Sequence, residues 1–381
     1  MKRLCILTSV HRAFDTRIFY KQAKSLAKSG YDVTLIAQHN KDEVVDGVKI
    51  VALPRPRNRF WRMLGIWRTF RLALRQKADI YHFHDPELLP WGWLLRKLTR
   101  KPVIYDVHEY YTDVIPFKAW IPYFLRKPIA WLFDRIEKFF AGGLSAIITV
   151  TEPMKKRFSD SRVLCVSVHN FTSIEIAVSA NESKRFSKGE HRYSVICSGG
   201  SRLARENVFE TVLDALDLVV KQNSKITCVI LGTASNPARL DEEHDNLMKK
   251  LSQEGNLKII DRVCYNDLFR YLDVASIGWK PEPVRQKNSI QTRALEYMAR
   301  GKPVVAASDS SLTADIIREA RCGILVDPYD AKAHASAILY ILEHPDEARK
   351  MGENGKKAVL EKYNWETESK KLLNLYRVIC Q

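Results

Sequence analysis

The feature that most constrains the fold is a regular alternation of short apolar runs with helical patterns, which begins at the first residues. Lys2 to Ser9 is predicted to be a buried strand, and Tyr31 to Ala37 a second one. Between them lies a predicted helix that has Asp15 as its N-cap and ends at Gly30. This order forms a βαβ unit with parallel strands, whose carboxyl ends line a ligand crevice.

A polar stretch at residues 172–192 interrupts the alternation. It is rich in Ser and charged residues and lacks helical or strand periodicity, so we predict an interdomain linker there. The alternation restarts at Tyr193, and a chain of 381 residues is long enough for two cores. The sequence therefore predicts an α/β protein with doubly wound, Rossmann-like domains at residues 1–171 and 193–362.

Three histidines in the first domain fall where predicted strands end. His11 and Arg12 follow the first strand, His84 ends a strand that starts at Asp79, and His108 and Glu109 follow a strand that starts at Pro102. A lone histidine is more often structural than functional. Because parallel strands end at one edge of a sheet, we expect these side chains to lie near one another and at least one of them to be functional.

Two predicted helices begin with residues suited to capping. Asp85 is predicted as an N-cap, followed by Pro86 at the first helical position. Thr292 is predicted as the N-cap of a helix that Gly301 and Pro303 terminate.

The second domain offers two groups suited to a negatively charged ligand. Gly199 and Gly200 follow its first strand and allow close backbone approach, and Arg202 and Arg205 stand just beyond. Glu296 lies on the helix that starts near Thr292, after a polar loop that includes Asn288 and Ser289 and shortly after Arg293. Its carboxylate can accept hydrogen bonds from paired sugar hydroxyls, while cations and first-turn amides meet phosphate. The alternative is an ordinary solvated glutamate.

The positive charge is concentrated in the first half. Residues 1–171 hold 30 basic and 15 acidic residues, whereas the remainder holds 31 and 29. Residues 54–77 carry eight cations and no acid, interleaved with Phe60, Trp61, Trp67 and Phe70. This pattern favours an interfacial helix on anionic lipid, ahead of a solvated helix face and then a nucleic-acid groove.

Residues 117–140 form a second segment rich in aromatic residues, which is interrupted by Pro122 and Pro128. It is suited to resting in a membrane surface or receiving a lipid tail, and a core helix is the alternative of comparable weight.

Composition and motifs disfavour several protein classes. The seven cysteines lack CxxC spacing and are typical of core residues in a reducing cytoplasm. No apolar run reaches the roughly 18 residues of a membrane span, and no signal peptide is recognisable. No GxGxxG follows the first strand and no DxD-like pair ends a suitable strand, so we expect neither a nicotinamide or flavin cofactor nor a metal.

Taken in order along nearly the whole chain, the motifs resemble those of the GT-B glycosyltransferases, specifically glycosyltransferase family 4 (group 1). The segments that carry the resemblance are HRAFDTRIFYKQAKSLAKSGYDVTLIA, ADIYHFHDPELLP, PVIYDVHEYY, SGGSRLARE, IQTRALEYMARGKPVV, CGILVDP and YNWETESKKLLNLY. The resemblance implies two domains that face a central cleft, an acceptor-binding first domain, a donor-binding second domain, and a last segment, residues 363–381, that crosses back to the first domain.

The resemblance also implies roles for individual residues. Glu296 matches the second Glu of the family's E-x7-E signature and would bind the donor ribose. Arg205, or Arg202 in a shifted register, matches a diphosphate-binding cation, and His108 matches the histidine beside the donor sugar. The loop from Asn288 to Thr292 would offer amides and hydroxyls to the diphosphate and sugar.

The chain departs from the family pattern at three points. Asn288 stands where the signature has its first Glu, Glu206 brings a negative charge near the expected phosphate site, and the usual Gly-Gly of the first loop is missing.

These observations predict a metal-independent, retaining glycosyltransferase on the cytoplasmic membrane face, with a UDP- or GDP-sugar donor and a saccharide acceptor carried on a lipid. The acceptor side would include His11, Arg12, His84 and Glu109. One rival is a sugar-nucleotide epimerase of the same architecture, for which Asp106, Glu87 and Glu109 supply carboxylates. The other is a non-catalytic basic protein that binds membrane or nucleic acid.

Overall fold

The computed structural model describes residues 1–118, 120–178, 193–198, 203, 208–232, 240–261, 263, 265–283, 289–309 and 311–380. The chain divides into two compact units. The first contains Met1–Asn170 together with Trp365–Gln381, and the second contains Phe171–Asn364. The last helix of the chain is therefore part of the first unit.

An eight-stranded sheet forms the centre of the first unit. Its strands are β1 Arg3–Arg12, β2 Asp32–Gln38, β3 Glu43–Val45, β4 Val48–Leu53, β5 Ile80–Phe83, β6 Val103–Val107, β7 Ala146–Thr149 and β8 Leu164–Ser167. Across the sheet the order is β3-β4-β2-β1-β5-β6-β7-β8, and all neighbours are parallel except the β3–β4 hairpin. The order reverses between β1 and β5, so the ligand crevice of a doubly wound sheet lies at their carboxyl ends.

The helices of the first unit connect these strands. They are α1, which begins as a π-helix at Thr16–Ala23 and continues as an α-helix at Lys24–Lys28, α2 Arg59–Gln76, α3 Leu89–Thr99, α4 Tyr111–Val114, α5 Tyr123–Gly142, α6 Glu152–Lys156 and the C-terminal helix Trp365–Ile379. Short 3-10 turns at Pro86–Leu88 and Ile115–Phe117 precede α3 and follow α4.

The C-terminal helix helps to cover one face of this sheet. Trp365, Leu372 and Tyr376 are buried in the same core as the β1 residues Leu4 and Ile6. The Trp365 indole also donates a hydrogen bond of 2.9 Å to the Ser25 hydroxyl on α1. Burial of such large side chains is the main source of stability for this face.

The second unit is built on a six-stranded parallel sheet. Its strands are β9 Tyr193–Ser198, β10 Ile226–Leu231, β11 Leu257–Ile260, β12 Ile277–Lys280, β13 Val304–Ala307 and β14 Gly323–Val326. Their order is β11-β10-β9-β12-β13-β14. The order reverses between β9 and β12, which places the expected ligand crevice at the carboxyl ends of those two strands.

Eight described helices accompany this sheet. They are α7 Ile174–Val178, α8 Phe209–Gln222, α9 Glu242–Gln253, α10 Tyr265–Val274, α11 Thr292–Ala299, α12 Leu312–Ala320, α13 Ala331–Glu343 and α14 Pro345–Glu361. Helix α11 packs unusually close to the sheet, because a Cβ on Gly278 would come within 2.3 Å of the Tyr297 ring. A side chain at position 278 would therefore push α11 away from β12.

Two sequence predictions need correction. Residues 174–178, predicted as linker, form α7, and Phe171 just before them packs its ring edge-on against Tyr363 at 5.5 Å. Pro128 does not interrupt the second aromatic segment but lies inside the continuous helix α5, while Pro122 is its N-cap.

Among the described helices, none combines the length and the apolarity that crossing a membrane would require.

Candidate functional site

Asp85 joins the two strands at the crevice of the first unit. Its carboxylate accepts hydrogen bonds from the Thr8 hydroxyl at 2.8 Å and from the Ser9 backbone N–H at 2.6 Å. Asp85 occupies the predicted N-cap position before Pro86, but its side chain makes no capping bond to the turn that follows. The carboxylate pairs with the buried donors at the end of β1 instead, since leaving such donors unpaired costs free energy.

The three histidines predicted to share this edge do lie together. His84 Nδ1 and His108 Nε2 are 2.9 Å apart, within hydrogen-bond distance, and the rings of His11 and His108 have centroids 5.5 Å apart. The Nε2 atom of His11 lies 3.5 Å from Asp85, and its Nδ1 atom lies 3.6 Å from Asp15. Asp15 and Asp85 thus position His11, and the His11 ring packs against His108.

A buried ion pair between Arg17 and Asp106 lies next to the histidines. Arg17 donates two hydrogen bonds to the Asp106 carboxylate, at 3.1 and 3.0 Å, and Gln22 donates a third at 2.5 Å. Both charged side chains are nearly excluded from solvent. Such bidentate pairing compensates for the loss of hydration that burial imposes on the two charges.

Asp106 in turn faces three imidazoles. One of its oxygens lies 3.8 Å from His82, 3.6 Å from His84 and 3.7 Å from His108. The other ring nitrogen of His82 lies 2.7 Å from the hydroxyl of Tyr376 on the C-terminal helix. A chain of polar contacts therefore connects the C-terminal helix to the edge of the crevice.

The environment shifts the pKa values of His84 and His11 in opposite directions. Burial, followed by the neighbouring His82, lowers the pKa of His84 well below its ordinary value. Burial would also lower the pKa of His11, but Asp15 and Asp85 outweigh it and raise that pKa. Burial would raise the pKa of Asp15, yet its hydrogen bond with His11 helps to lower it to about 2. His11 is thus the ring of this cluster that is stabilised in its charged form, while His84 is held neutral.

The remaining residues predicted for the acceptor side differ in their exposure to solvent. Arg12 and Glu109 are exposed, and His108 is partly exposed. The His84 side chain is fully buried, and its Nδ1 atom lies 2.9 Å from Nε2 of the partly exposed His108. On the acceptor side predicted for it, His84 would therefore act through His108.

In the second unit, Glu296 is buried on the inner face of α11. It is 2% exposed, and its carboxylate accepts a hydrogen bond of 2.7 Å from Arg293 one turn earlier. The alternative of a solvated surface glutamate is therefore wrong. An ionised carboxylate in such a position needs charged or hydrogen-bonding partners, and Arg293 supplies one of them.

The start of α11 differs from the prediction. Thr292 is the first helical residue, not the cap, and the cap position belongs to Gln291. The hydroxyl of Thr313 accepts the Gln291 backbone N–H at 2.8 Å, so the neighbouring helix α12 supplies an acceptor at this start. Ser289 is half-buried before it. Gly199, Gly200, Arg202, Arg205, Glu206 and Asn288 lie outside the described residues.

A second buried ion pair stands at the end of β12, where the strand order reverses. Lys280 and Glu282 are in contact, and both side chains are at most 3% exposed. Sequence reasoning missed this pair, and it also missed Arg17 as the partner of Asp106. The sequence offered little indication of these pairs, because each of the charged residues resembles an ordinary surface residue when its neighbours in sequence are considered alone. Their burial depends on tertiary packing.

One group near the crevice has ligand atoms close enough for a metal, namely His82, His84 and Asp106. Both Asp106 oxygens already accept hydrogen bonds from Arg17. Arg17 thus neutralises the one carboxylate of this group, which makes the donor set a poor fit to a metal.

Two family models together match most of the chain. The model described as Glycosyltransferase Family 4 matches residues 16–170, and the model described as Glycosyl transferases group 1 matches residues 180–358. The boundary between the two matches falls within ten residues of the boundary between the compact units.

Curated relatives are distant but extensive. An MMP alpha-(1->4)-mannosyltransferase from Mycolicibacterium hassiacum is 20% identical over 81% of this chain and 73% of its own length. An alpha-monoglucosyldiacylglycerol synthase from Streptococcus pneumoniae is 24% identical over 83% of this chain and 72% of its own length.

Solved structures share the fold over the full chain. Sucrose-phosphate synthase from Thermosynechococcus elongatus aligns with a TM-score of 0.71 and 18% identity, covering 100% of this chain and 99% of its own. HepE from Anabaena in complex with UDP-glucose aligns with a TM-score of 0.69 and 13% identity, covering 99% and 100%. With two parallel, doubly wound sheets, two matching family models and these relatives, the chain belongs to the group 1 glycosyltransferases of the GT-B fold.

Proposed function

We propose that this glycosyltransferase moves a hexosyl group, with retention of its anomeric configuration, from a UDP- or GDP-sugar to a saccharide acceptor that is carried on a lipid. The reaction would need no metal. It would take place at the cytoplasmic face of the cell membrane, in the synthesis of a surface polysaccharide or glycolipid.

The position of Glu296 is the observation that carries the proposal. A carboxylate that is buried, paired with Arg293 and held in the middle of α11 is a pre-oriented acceptor for a pair of vicinal hydroxyls. The ribose of a nucleotide offers such a pair. Helix α11 is held against β12 by the close approach at Gly278, so the carboxylate lies on a rigid element.

The reaction chemistry follows from the charge of the leaving group. When the glycosyl bond breaks, the nucleoside diphosphate gains negative charge, which fixed cations and amides can stabilise. We assign this role to Arg205 and Arg202, with Gly199, Gly200, Asn288 and Ser289 contributing to the same donor site. The departing phosphate would help to deprotonate the acceptor hydroxyl, and His108 would contact the reacting sugar.

Metal independence is part of the same proposal. In the group of His82, His84 and Asp106, both carboxylate oxygens already accept hydrogen bonds from Arg17. Cationic side chains can neutralise a departing diphosphate without a divalent ion. Transfer should therefore persist in a strong chelator.

Helix α5 supports a membrane-bound acceptor. Several of its large apolar side chains and those just before it are between 44% and 81% exposed, namely Phe117, Trp120, Tyr123, Phe124, Trp131, Leu132, Ile136 and Phe139. Exposed apolar patches of this extent mark interaction surfaces, and aromatic residues favour the membrane interface.

The charges on α5 favour an anionic surface. Arg126 and Arg135 lie over the rings of Tyr123 and Trp131 at 5.7 and 5.5 Å. The two acids of the helix, Asp134 and Glu137, are both paired with Arg157. Arg126 also donates to the carbonyls of Ile121 and Pro116, whereas Arg135 has no carboxylate partner among the described residues and can meet lipid phosphates.

The segment at residues 54–77 contributes less apolar surface than expected. Phe70 is buried in the core with Ile66, so it is unavailable to lipid. Trp61, Met63 and Trp67 remain exposed on α2 beside the arginines. We retain this face as a secondary membrane contact.

The epimerase alternative is weakened by its carboxylates. Asp106 is bound to Arg17, and Glu87 is bound to Arg62 and to the Ser9 hydroxyl. Only Glu109 of the three is exposed. An acid and base pair of suitable groups is therefore not assembled among the described residues of the first unit.

A thermal-shift screen against UDP-, GDP- and ADP-sugars tests the proposal. A UDP- or GDP-sugar should raise the melting temperature, since a ligand that binds only the folded state stabilises it. The stabilising donor is then incubated with a lipid-linked saccharide in chelator, and the anomeric configuration of the product is read by NMR. An inverted product, or a dependence on added metal, would contradict the proposal.

Incubation of the donor alone distinguishes the rival enzyme. The glycosyltransferase should leave the donor sugar unchanged or hydrolyse it slowly. Formation of an epimerised sugar without any acceptor would replace the proposed reaction with epimerisation.

A further inference from the structure

A basic pocket lies beside the crevice of the first unit. Its volume is about 380 Å³, and it is lined by the turn after β4 and the first half of α2. Ser9, Leu53 and Thr69 are buried lining residues, and Trp61 forms an exposed wall. The size suits a small ligand or the polar end of a larger one.

Four arginines line this pocket, and none of the described lining residues is acidic. They are Arg55, Arg57, Arg62 and Arg68. Glu87 neutralises Arg62 through a bidentate ion pair. Among the described residues, no carboxylate forms an ion pair with the other three arginines, so the pocket carries an uncompensated charge of about three units.

The chemistry of the lining favours a phosphoryl group. Guanidinium groups match the oxygens of phosphate with paired hydrogen bonds, and a phosphate monoester or diphosphate carries enough charge for several of them. Leu53, Pro54, Pro56 and Trp61 add apolar surface against which a sugar ring or a prenyl carbon can pack. A neutral ligand would leave the arginines without a partner.

The pocket is directly connected to the histidine cluster. The Ser9 hydroxyl, which lines the pocket, donates to Glu87 at 2.6 Å and lies 3.1 Å from the Asp85 carboxylate, which accepts the Ser9 backbone N–H. Asp85 lies 3.5 Å from the Nε2 atom of His11. A phosphoryl group in the pocket would therefore hold the adjoining part of the same molecule at the end of β1.

We propose that Arg55, Arg57 and Arg68 bind a phosphoryl group of the acceptor, next to the sugar that receives the transferred residue. This inference rests on the proposed function and adds to it the chemical class of the acceptor. The phosphoryl group has two possible sources. One is a water-soluble sugar phosphate, and the other is a prenyl diphosphate that carries the saccharide.

The test compares two double variants with the same change in charge. Arg55→Gln/Arg68→Gln removes two pocket cations. Arg71→Gln/Arg75→Gln removes two exposed cations from α2, the helix that also carries Arg68, at positions outside the pocket lining. Binding to the full-length proteins is measured by calorimetry at about 150 mM salt, where long-range attraction is screened. The probes are glucose 6-phosphate against glucose, and farnesyl diphosphate against farnesol.

We expect at least one phosphorylated probe to bind and its unphosphorylated partner to fail. The pocket variant should lose roughly tenfold or more in affinity for that probe, while the control variant changes less than about twofold. Preference for the sugar phosphate identifies a soluble acceptor, and preference for the farnesyl compound identifies a lipid-linked one.

Three outcomes would overturn the inference. They are a failure of both phosphorylated probes to bind wild type, an equal change in the two variants, and a loss of UDP affinity in the pocket variant, which would assign the pocket to the donor. UDP binding to wild type is measured in parallel. If UDP and GDP both fail to bind, the proposed function fails; if one binds and the pocket variant has no effect, only this inference fails.

Discussion

The Asp85 carboxylate accepts a 2.6 Å hydrogen bond from the backbone N–H of Ser9, 76 positions earlier in the chain. Through this bond the ends of β1 and β5 are tied together at the point where the strand order reverses. The same carboxylate also accepts from the hydroxyl of Thr8. One side chain thus shapes the crevice from which His11 and the basic pocket are reached.

Replacing this carboxylate should destabilise the first unit. Asp85→Asn replaces the charged oxygen on which the Thr8 hydroxyl and the Ser9 N–H converge with a neutral amide oxygen, which weakens both hydrogen bonds. We expect a loss of about 1–3 kcal/mol in the free energy of unfolding, measured in urea. Asp79→Asn is the control, because Asp79 also accepts a backbone N–H, from Arg3, but is partly exposed. Equal losses in the two variants would contradict the role given to Asp85.

Breaking the buried ion pair between Arg17 and Asp106 should reduce stability by more than the Asp85 substitution. Arg17→Met leaves the Asp106 carboxylate without its charge partner, and we expect a loss of about 3–5 kcal/mol in unfolding free energy. The control on the same helix is Lys24→Met, which removes the more exposed ion pair with Asp46 and should cost less than about 1 kcal/mol. If Arg17→Met unfolds at the same urea concentration as wild type, the pair does not support the cluster.

The protonation of His11 can be tested by NMR. Its pKa should lie above the ordinary value of 6.5, because Asp15 and Asp85 outweigh burial. Since folding raises this pKa, the stabilisation is fully present below pH 6.5 and is lost as the pH rises through the raised value. Asp15→Asn keeps an oxygen for the helix cap but removes the charge, so the pKa of His11 should fall.

Assignment of the His11 resonance by His11→Gln makes the titration unambiguous. His84 serves as an internal comparison, because its pKa is lowered and it should remain neutral through the same range. An unchanged His11 titration in Asp15→Asn would show that Asp15 does not stabilise the charged ring.

The exposed face of α5 predicts lipid binding. Trp131→Ser/Phe139→Ser removes two rings that are 62% and 69% exposed, and vesicle sedimentation should show a loss of about tenfold or more in binding to anionic lipid. Tyr329→Ser/Leu360→Ser removes exposed apolar groups from the second unit as the control. Equal binding by both variants would assign the face to another partner.

The sequence was most informative where a pattern repeats. The alternation of strands and helices and the shared edge of His11, His84 and His108 follow from periodicity and topology, whereas the return of the last helix to the first unit was implied by the family resemblance. Side-chain direction was harder to predict. Asp85 has both a helix to cap and distant donors to pair, and only tertiary structure shows that the donors take it.

Burial of charge was the other property that local pattern did not predict. Arg17 and Glu296 occur in amphipathic helices where a charged residue is ordinarily solvated, and both are buried by the packing of their helices on a sheet. Phe70 illustrates the reverse case, since its basic neighbours suggested lipid but the residue points into the core. These outcomes depend on which helix face meets the sheet, which residue spacing alone leaves open.

Calorimetric titration of Glu296→Gln tests the central claim most directly. The substitution keeps the shape of the side chain but removes the charge that would strengthen hydrogen bonds from ribose hydroxyls. Whichever of UDP and GDP binds wild type should bind this variant roughly tenfold to a hundredfold more weakly. Glu361→Gln, an exposed change at the end of α14, should leave the affinity unchanged. Wild-type affinity in a folded Glu296→Gln protein would contradict the assignment of this carboxylate to the donor site.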